Sequence, residues 1–387
     1  MIKGREVSDK RLYVHSLDGL RGIAVLAVFL SHTALSGYRP APFLFFDGTG
    51  KSGVFLFFIL SSFLLSYPFL LKAEKAFTKD ALINFTVRRF FRIYPLFVLY
   101  LLFAFTSSFA VGHFMKKAEA GIPFYLTPGD LINHIFLQEG KGVTWSILVE
   151  FRYYFILPLL GYLFAVLLRG RLALSMLTIV GLITTGQVFY PQAEALINDP
   201  RLWPYLPVML TGTGLAILQY HWKDWGWGQE KSKQRMVETI GWLGVIGCIL
   251  SIPSVYYLVL DREHECRTLI GTIDFGVKDC HKIFHHSFTE QTLLWGAVLF
   301  AAINGNSWLR KIGEWMPLRY LGWISFSFYL FHPVFIQLWN EIQKKTPFEI
   351  PSYVIFWLIL GTTTLASYLS YKLVELPSSQ IKYQPNS

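Results

Sequence analysis

The stretch DGLRGIAVLAVFLSH at residues 18–32 decides how this chain is read. Ten residues, 22–31, separate Arg21 from His32, and nearly all of them are apolar. As a helix rising ~1.5 Å per residue, the stretch holds Arg21 and His32 ~16 Å apart, roughly half the hydrocarbon thickness of a bilayer. A cation at the rim and an imidazole near the midplane are costly in lipid, so both invite a functional explanation. The plain alternative is that a lone histidine near a helix end bonds a neighbouring carbonyl. This stretch by itself leaves both readings open.

The rest of the chain has the same character. Of 387 residues, 53% are hydrophobic, 17% aromatic and only 16% charged, and the mean hydropathy is +0.41. Soluble domains carry about one quarter charged residues, so the composition is that of an all-α, polytopic membrane protein. The formal charge of +10 does not call for nucleic acid as a partner. The basic residues sit at the ends of apolar runs, where the positive-inside bias puts them. Three cysteines are too few for a disulfide framework or a four-ligand zinc site. Lys3, Arg5, Lys10 and Arg11 precede the first apolar run, and Ala34-Leu35-Ser36 is a weak cleavage site. Cleavage there would discard Arg21 and His32, so an uncleaved first span is expected.

Ten apolar runs are candidate membrane helices: 17–37, 54–71, 93–111, 145–168, 172–189, 202–220, 240–260, 291–303, 320–339 and 353–373. No internal repeat stands out. With about ten spans both termini share a side, and Arg169, Arg171, Arg310, Lys311 and Arg319 in short loops put that side inside, giving an N-in/C-in topology. The whole of 1–387 reads as one membrane domain with no appended soluble domain. Two outside loops are long. One, 112–144, reads as irregular cover. The other, 261–290, holds Cys266, Cys280, His264, His281, His285 and His286. It is a polar loop that a Cys266–Cys280 disulfide could clip, and a metal site there is the lesser alternative, so no metal is expected.

Three further clusters could carry chemistry. Arg88, Arg89 and Arg92 lead into Pro95, which suits the start of a helical segment. Arg89 and Arg92 are three apart and share a face if helical. They suit anionic lipid headgroups, or the phosphates of a soluble anionic cofactor. Glu150 and Arg152 lie just inside a span, behind Trp145 and Ser146 and beside Tyr154. Glu150 could orient a histidine, accept a substrate hydroxyl, or pair with Arg152 or another span. His332 precedes Pro333; it lines an acceptor pathway, or bonds a carbonyl that Pro333, lacking an N–H, leaves free.

Together and in this order the pieces resemble the acyltransferase-3 family of membrane acyltransferases, which includes O-acetylases of bacterial surface glycans. The matching stretches are LDGLRGIAVLAVFLSH at 17–32, GVFLFFILSSF at 53–63, RRFFRIYP at 88–95, TWSILVEFRYYF at 144–155 and ISFSFYLFHP at 324–333. The resemblance implies that His32 is the essential histidine; the residues themselves offer Glu150 as a second catalytic candidate. It implies that Arg21, Arg89 and Arg92 bind the acyl-CoA donor, expected to be acetyl-CoA. Trp145, Ser146, Tyr154 and His332 are then candidates for binding the acceptor, a surface carbohydrate or glycolipid reached from a multi-pass position in a bacterial inner membrane among its lipids. His32 would act as general base on an acceptor hydroxyl or carry the acyl group itself. Ser62 departs from the family pattern, where glycine is usual, and Phe151 and Arg152 stand where more polar residues are common. A transporter or flippase of a glycolipid or polysaccharide precursor is the alternative that a many-helix chain with buried ionisable residues also suits.

Overall fold

Hydrocarbon offers the backbone no hydrogen-bonding partner, so an apolar run crossing it must satisfy its own N–H and C=O groups as a helix. The computed structural model describes residues 14–41, 46, 48–115, 119–189, 198, 200–224, 230–251, 267–268, 271–272, 288–305 and 308–383. These residues are almost wholly helical, apart from a two-residue antiparallel pairing of Arg267–Thr268 with Gly271–Thr272. The principal helices are α1 (His15–Leu35), α2 (Gly50–Lys72), α3 (Lys79–Met115), the short α4 (Pro128–Ile135), α5 (Thr144–Tyr162), α6 (Leu172–Phe189) and α7 (Leu206–Asp224). They continue as α8 (Lys231–Leu250), α9 (Phe288–Asn304), α10 (Trp308–Glu314), α11 (Met316–Trp323), α12 (Ser325–Lys345) and α13 (Ser352–Ser370).

Among the described residues, five helical stretches are long and apolar enough to cross a membrane: His15–Leu35, Gly50–Phe77, Lys79–His113, Thr144–Leu167 and Ser352–Ser379. A sixth candidate is the pair α11 and α12, bent by 80° at Ile324. Large apolar side chains such as Leu177, Leu243, Leu365 and Leu373 lie exposed on the outer faces, as a lipid-facing coat requires. The protein is an all-helical integral membrane protein. The cysteines and histidines of the 261–290 loop lie outside the described residues.

Two helices differ from the sequence expectation. Residues 320–339 do not form one continuous span; the chain turns sharply at Ile324 and α12 begins afresh at Ser325. Glu375, close to the end of the Ser352–Ser379 stretch, caps the new N-terminus by accepting from the Ser327 N–H at 3.1 Å and from its hydroxyl. A carboxylate there satisfies a donor that the first turn of a helix leaves without a partner. Pro95, expected to open a segment, sits inside the single long helix α3. The basic lead-in is helical, and stacking of Phe90 on Tyr94 at 4.3 Å, one turn apart, carries the helix up to the proline.

The core is built on α1 and α2. Ala24, Val25 and Phe29 of α1 and Phe55, Ile59 and Phe63 of α2 are wholly buried. Alpha-1 packs against α2 and α11, and α2 against α7. Glycine sets these distances: a Cβ at Gly22 would overlap the Leu318 carbonyl oxygen, so α11 can lie directly on α1. Ser62 is accommodated by the same device on its neighbour. Its hydroxyl donates to the Phe58 carbonyl of its own helix at 2.8 Å, and the surface it meets on α7 is Gly212, where a Cβ would collide with that hydroxyl.

Candidate active site

Five helices converge on one cleft. Alpha-1 contributes Arg21, α3 contributes Arg89 and Arg92, α5 contributes Ser146, Glu150 and Tyr154, and α12 contributes Ser325 and Tyr329, with apolar side chains of α2 as the floor. Its free volume is about 780 Å³ counting the open mouth. The local reasons are simple. Ser146, Glu150 and Tyr154 recur every four residues, so they form one stripe along α5. Arg89 and Arg92, three apart on α3, share the face that meets it.

The carboxylate is well held. Glu150 Oε1 accepts from Ser61 Oγ at 2.8 Å and from the Tyr154 hydroxyl at 2.5 Å. Ser146 Oγ and the Tyr329 hydroxyl share a hydrogen bond at 2.8 Å. The cations are not held. Among the described residues, Arg21, Arg89 and Arg92 make no hydrogen bond and no ion pair within 4.0 Å. Three guanidiniums therefore face one carboxylate across the cleft. A surplus of fork-shaped donors in a site with apolar walls suits a multiply charged anion, phosphate above all.

Arg152 is different. It leaves the cleft, donating from Nη1 to the Pro200 carbonyl at 2.7 Å and from Nη2 to the Leu137 carbonyl at 3.2 Å. It ties loops together and does not pair with Glu150. Trp145 also turns away, buried against Tyr205 at 5.0 Å between ring centres and lying under the Lys51 ammonium at 4.6 Å.

His32 and His332 lie outside the cleft lining but touch each other. His32 Nδ1 and His332 Nε2 are 2.7 Å apart, across a sequence separation of 300 residues. His332 is fully buried, and its Nδ1 is 3.2 Å from the Phe328 carbonyl oxygen. The link to the cleft is Tyr329, which lines it and packs its ring 5.9 Å from the ring of His332. Ser61 and Tyr329 were not singled out from the sequence. Both fall inside the motif stretches 53–63 and 324–333, and a polar residue in an apolar run was the available signal.

Residues 119–143 form a polar cover built around α4 and packed against α3. Thr127 and Asp130 make a reciprocal cap on α4, with backbone-to-side-chain bonds of 3.0 and 3.1 Å, and Lys141 Nζ donates to Asp130 Oδ2 at 2.8 Å. Those donors, Lys141 first, pull the Asp130 carboxyl down to about 2. His134 donates from Nδ1 to the Asp130 carbonyl at 2.7 Å and accepts the Lys141 N–H on Nε2 at 3.0 Å. Burial lowers its affinity for a second proton. The cover is fastened to α3 by the Tyr94 hydroxyl donating to the Ile135 carbonyl at 2.9 Å.

With this geometry in hand, comparison with known proteins is decisive for the family. The family model described as an acyltransferase domain matches residues 14–372, almost the whole chain. The chain belongs to the acyltransferase-3 family. Among curated relatives, the O-acetyltransferase OatA of Staphylococcus aureus (strain NCTC 8325 / PS 47) is 25% identical over 386 residues, covering 94% of this chain and 57% of that protein. The peptidoglycan O-acetyltransferase OatA of Listeria monocytogenes (serovar 1/2a, strain ATCC BAA-679 / EGD-e) is 24% identical over 394 residues, covering 96% of this chain and 57% of that one. The chain thus spans less than two thirds of the length of these relatives. No solved structure matches it.

Proposed function

We propose that this acyltransferase-3 member is a membrane O-acetyltransferase that takes an acetyl group from cytoplasmic acetyl-CoA and passes it to a hydroxyl of a surface carbohydrate or glycolipid. The observation that carries this reading is the cleft that Arg21, Arg89 and Arg92 line together with the well-bonded Glu150, the arginines making no hydrogen bond and no close ion pair among the described residues. The phosphates of CoA are an anion of the right kind, and bidentate guanidinium contacts are the chemistry that holds them. The names of the two OatA relatives support O-acetylation as the reaction.

In this reading the arginines face the cytoplasm, the chain crosses a bacterial inner membrane about ten times with both termini inside, and the thioester arm runs along α1 toward His32. His32 removes the proton from the acceptor hydroxyl as its oxygen attacks the thioester carbonyl. The C–S bond breaks, CoA leaves as thiolate, and the proton on His32 returns to it. A two-step relay through acetyl-His32 uses the same residues and balances in the same way. Tyr154 and Ser146, on the Glu150 stripe, are the groups placed to meet the substrate.

Isolated membranes given labelled acetyl-CoA test the reading. Transfer of label to glycan is expected; counterflow of a glycolipid without acetylation would support a transporter instead and overturn it. Reporter fusions after each predicted span test the ten-span, N-in/C-in topology, which fails if the two termini report opposite sides.

A further inference from the structure

The His32–His332 contact decides more than proximity. Both Phe328 and Tyr329 present backbone carbonyls to His332, and Nδ1 is the ring nitrogen that meets the former. The Tyr329 carbonyl is the i−4 acceptor that Pro333, lacking an N–H, leaves free. A carbonyl oxygen only accepts, so His332 Nδ1 carries the hydrogen. The ring is wholly buried, with Phe29 and Tyr329 against it, and a second proton would put an ion in an apolar setting. His332 is therefore neutral with a lone pair on Nε2. That nitrogen faces His32 Nδ1 at 2.7 Å, so His32 must be the donor there. With its hydrogen on Nδ1, neutral His32 has its lone pair on Nε2.

We propose that His332 is a positioning residue: through a hydrogen-bond chain from the Phe328 carbonyl it fixes His32 in the Nδ1–H tautomer, so that Nε2 of His32 is the atom that reacts. A neutral imidazole has two tautomers, and only the nitrogen without hydrogen can take a proton or an acyl group. A fixed Nδ1–H···N bond also sets the ring plane and stabilises the imidazolium formed during transfer, the task an orienting partner performs for a catalytic histidine. The partner here is a second histidine, whose own tautomer is set by an irregularity in the helix at Pro333.

This assignment rests on the proposed role of His32, and the test separates the two. The two amides copy different nitrogens of the ring. His332→Gln places an acceptor oxygen near the position of Nε2, while His332→Asn reaches only the position of Nδ1, and His332→Leu has neither. Each would be purified, checked for monodispersity and acetyl-CoA affinity, and assayed for acetyl transfer alongside His32→Ala. The expected result is kcat within about tenfold of wild type for the Gln variant and reduced by about 10²–10⁴ for the Asn and Leu variants, with the KM for acetyl-CoA unchanged in all three. Loss of activity in His32→Ala together with unchanged kcat in all three His332 variants overturns the positioning role alone. Equal loss in the Gln and Leu variants does the same, because it marks a packing role. Full activity in His32→Ala overturns the catalytic reading of His32 and this assignment with it.

Discussion

Two polar regions of this molecule have opposite designs. In the cover over α4, every group named is satisfied: Thr127 and Asp130 cap each other, Lys141 neutralises Asp130, and both nitrogens of His134 are bonded within the same loop. In the cleft, Glu150 is satisfied while, among the described residues, Arg21, Arg89 and Arg92 make no hydrogen bond and no close ion pair. Cations in a partly apolar site are costly to leave without a bonded anion, and the proposed function gives these three one in the phosphates of acetyl-CoA.

The contrast can be broken in the cleft first. His32→Ala should lower acetyl transfer by about 10²–10⁴, the usual worth of a general base, while membrane insertion is unchanged; a labelled-acetate assay on membranes with equal protein content reads it. Arg89→Ala and Arg92→Ala should each raise the KM for acetyl-CoA by about 10–100-fold, as expected for loss of a charge-assisted bond, and an unchanged KM would remove them from the donor site. Substitutions in the cover should be milder and should act on stability instead. Thr127→Ala removes the α4 cap and should cost about 1 kcal/mol, read as a lower thermal midpoint in detergent with KM unaltered.

The cover should also respond to acid. Because folding holds His134 in its neutral form, the folded cover binds fewer protons than the unfolded chain once pH falls below about 6.5, and it loses stability from there downward. Asp130 adds a second loss, since its contribution is present above the ordinary carboxylate range and disappears as pH falls toward about 2. Limited proteolysis of the 119–143 segment across pH 7 to 4 checks the first step; cleavage that stays constant through that range would contradict it.

How much of this was legible in the sequence follows from the range of the interactions. The α5 stripe was readable because Ser146, Glu150 and Tyr154 are one turn apart, and Arg89 and Arg92 for the same local reason. The break at Ile324 was not, since the run around it is mostly apolar apart from Ser325 and Ser327 and hydropathy carries no information about direction. The cap that stabilises the break comes from Glu375, 48 residues from Ser327. Pro95 read as a boundary because its own signal is local, whereas the stacking and packing that keep α3 whole come from its neighbours. Ser61 was hidden among apolar residues, and the pairing of His32 with His332 spans 300 residues, beyond any periodicity. Trp145 and Arg152 stand next to cleft residues in sequence yet point elsewhere, because adjacent helical positions differ in direction by about 100°.

The central claim, that the arginines of the cleft hold a polyanionic donor, is tested most directly by binding. Purified wild-type protein and its Arg89→Ala and Arg92→Ala variants would be titrated with acetyl-CoA and with acetylpantetheine, which has the thioester arm and no phosphates. The account predicts that each substitution weakens acetyl-CoA binding by tenfold or more and leaves acetylpantetheine binding as it was. Equal affinity of wild type and variants for acetyl-CoA, or equal weakening for both ligands, would contradict it.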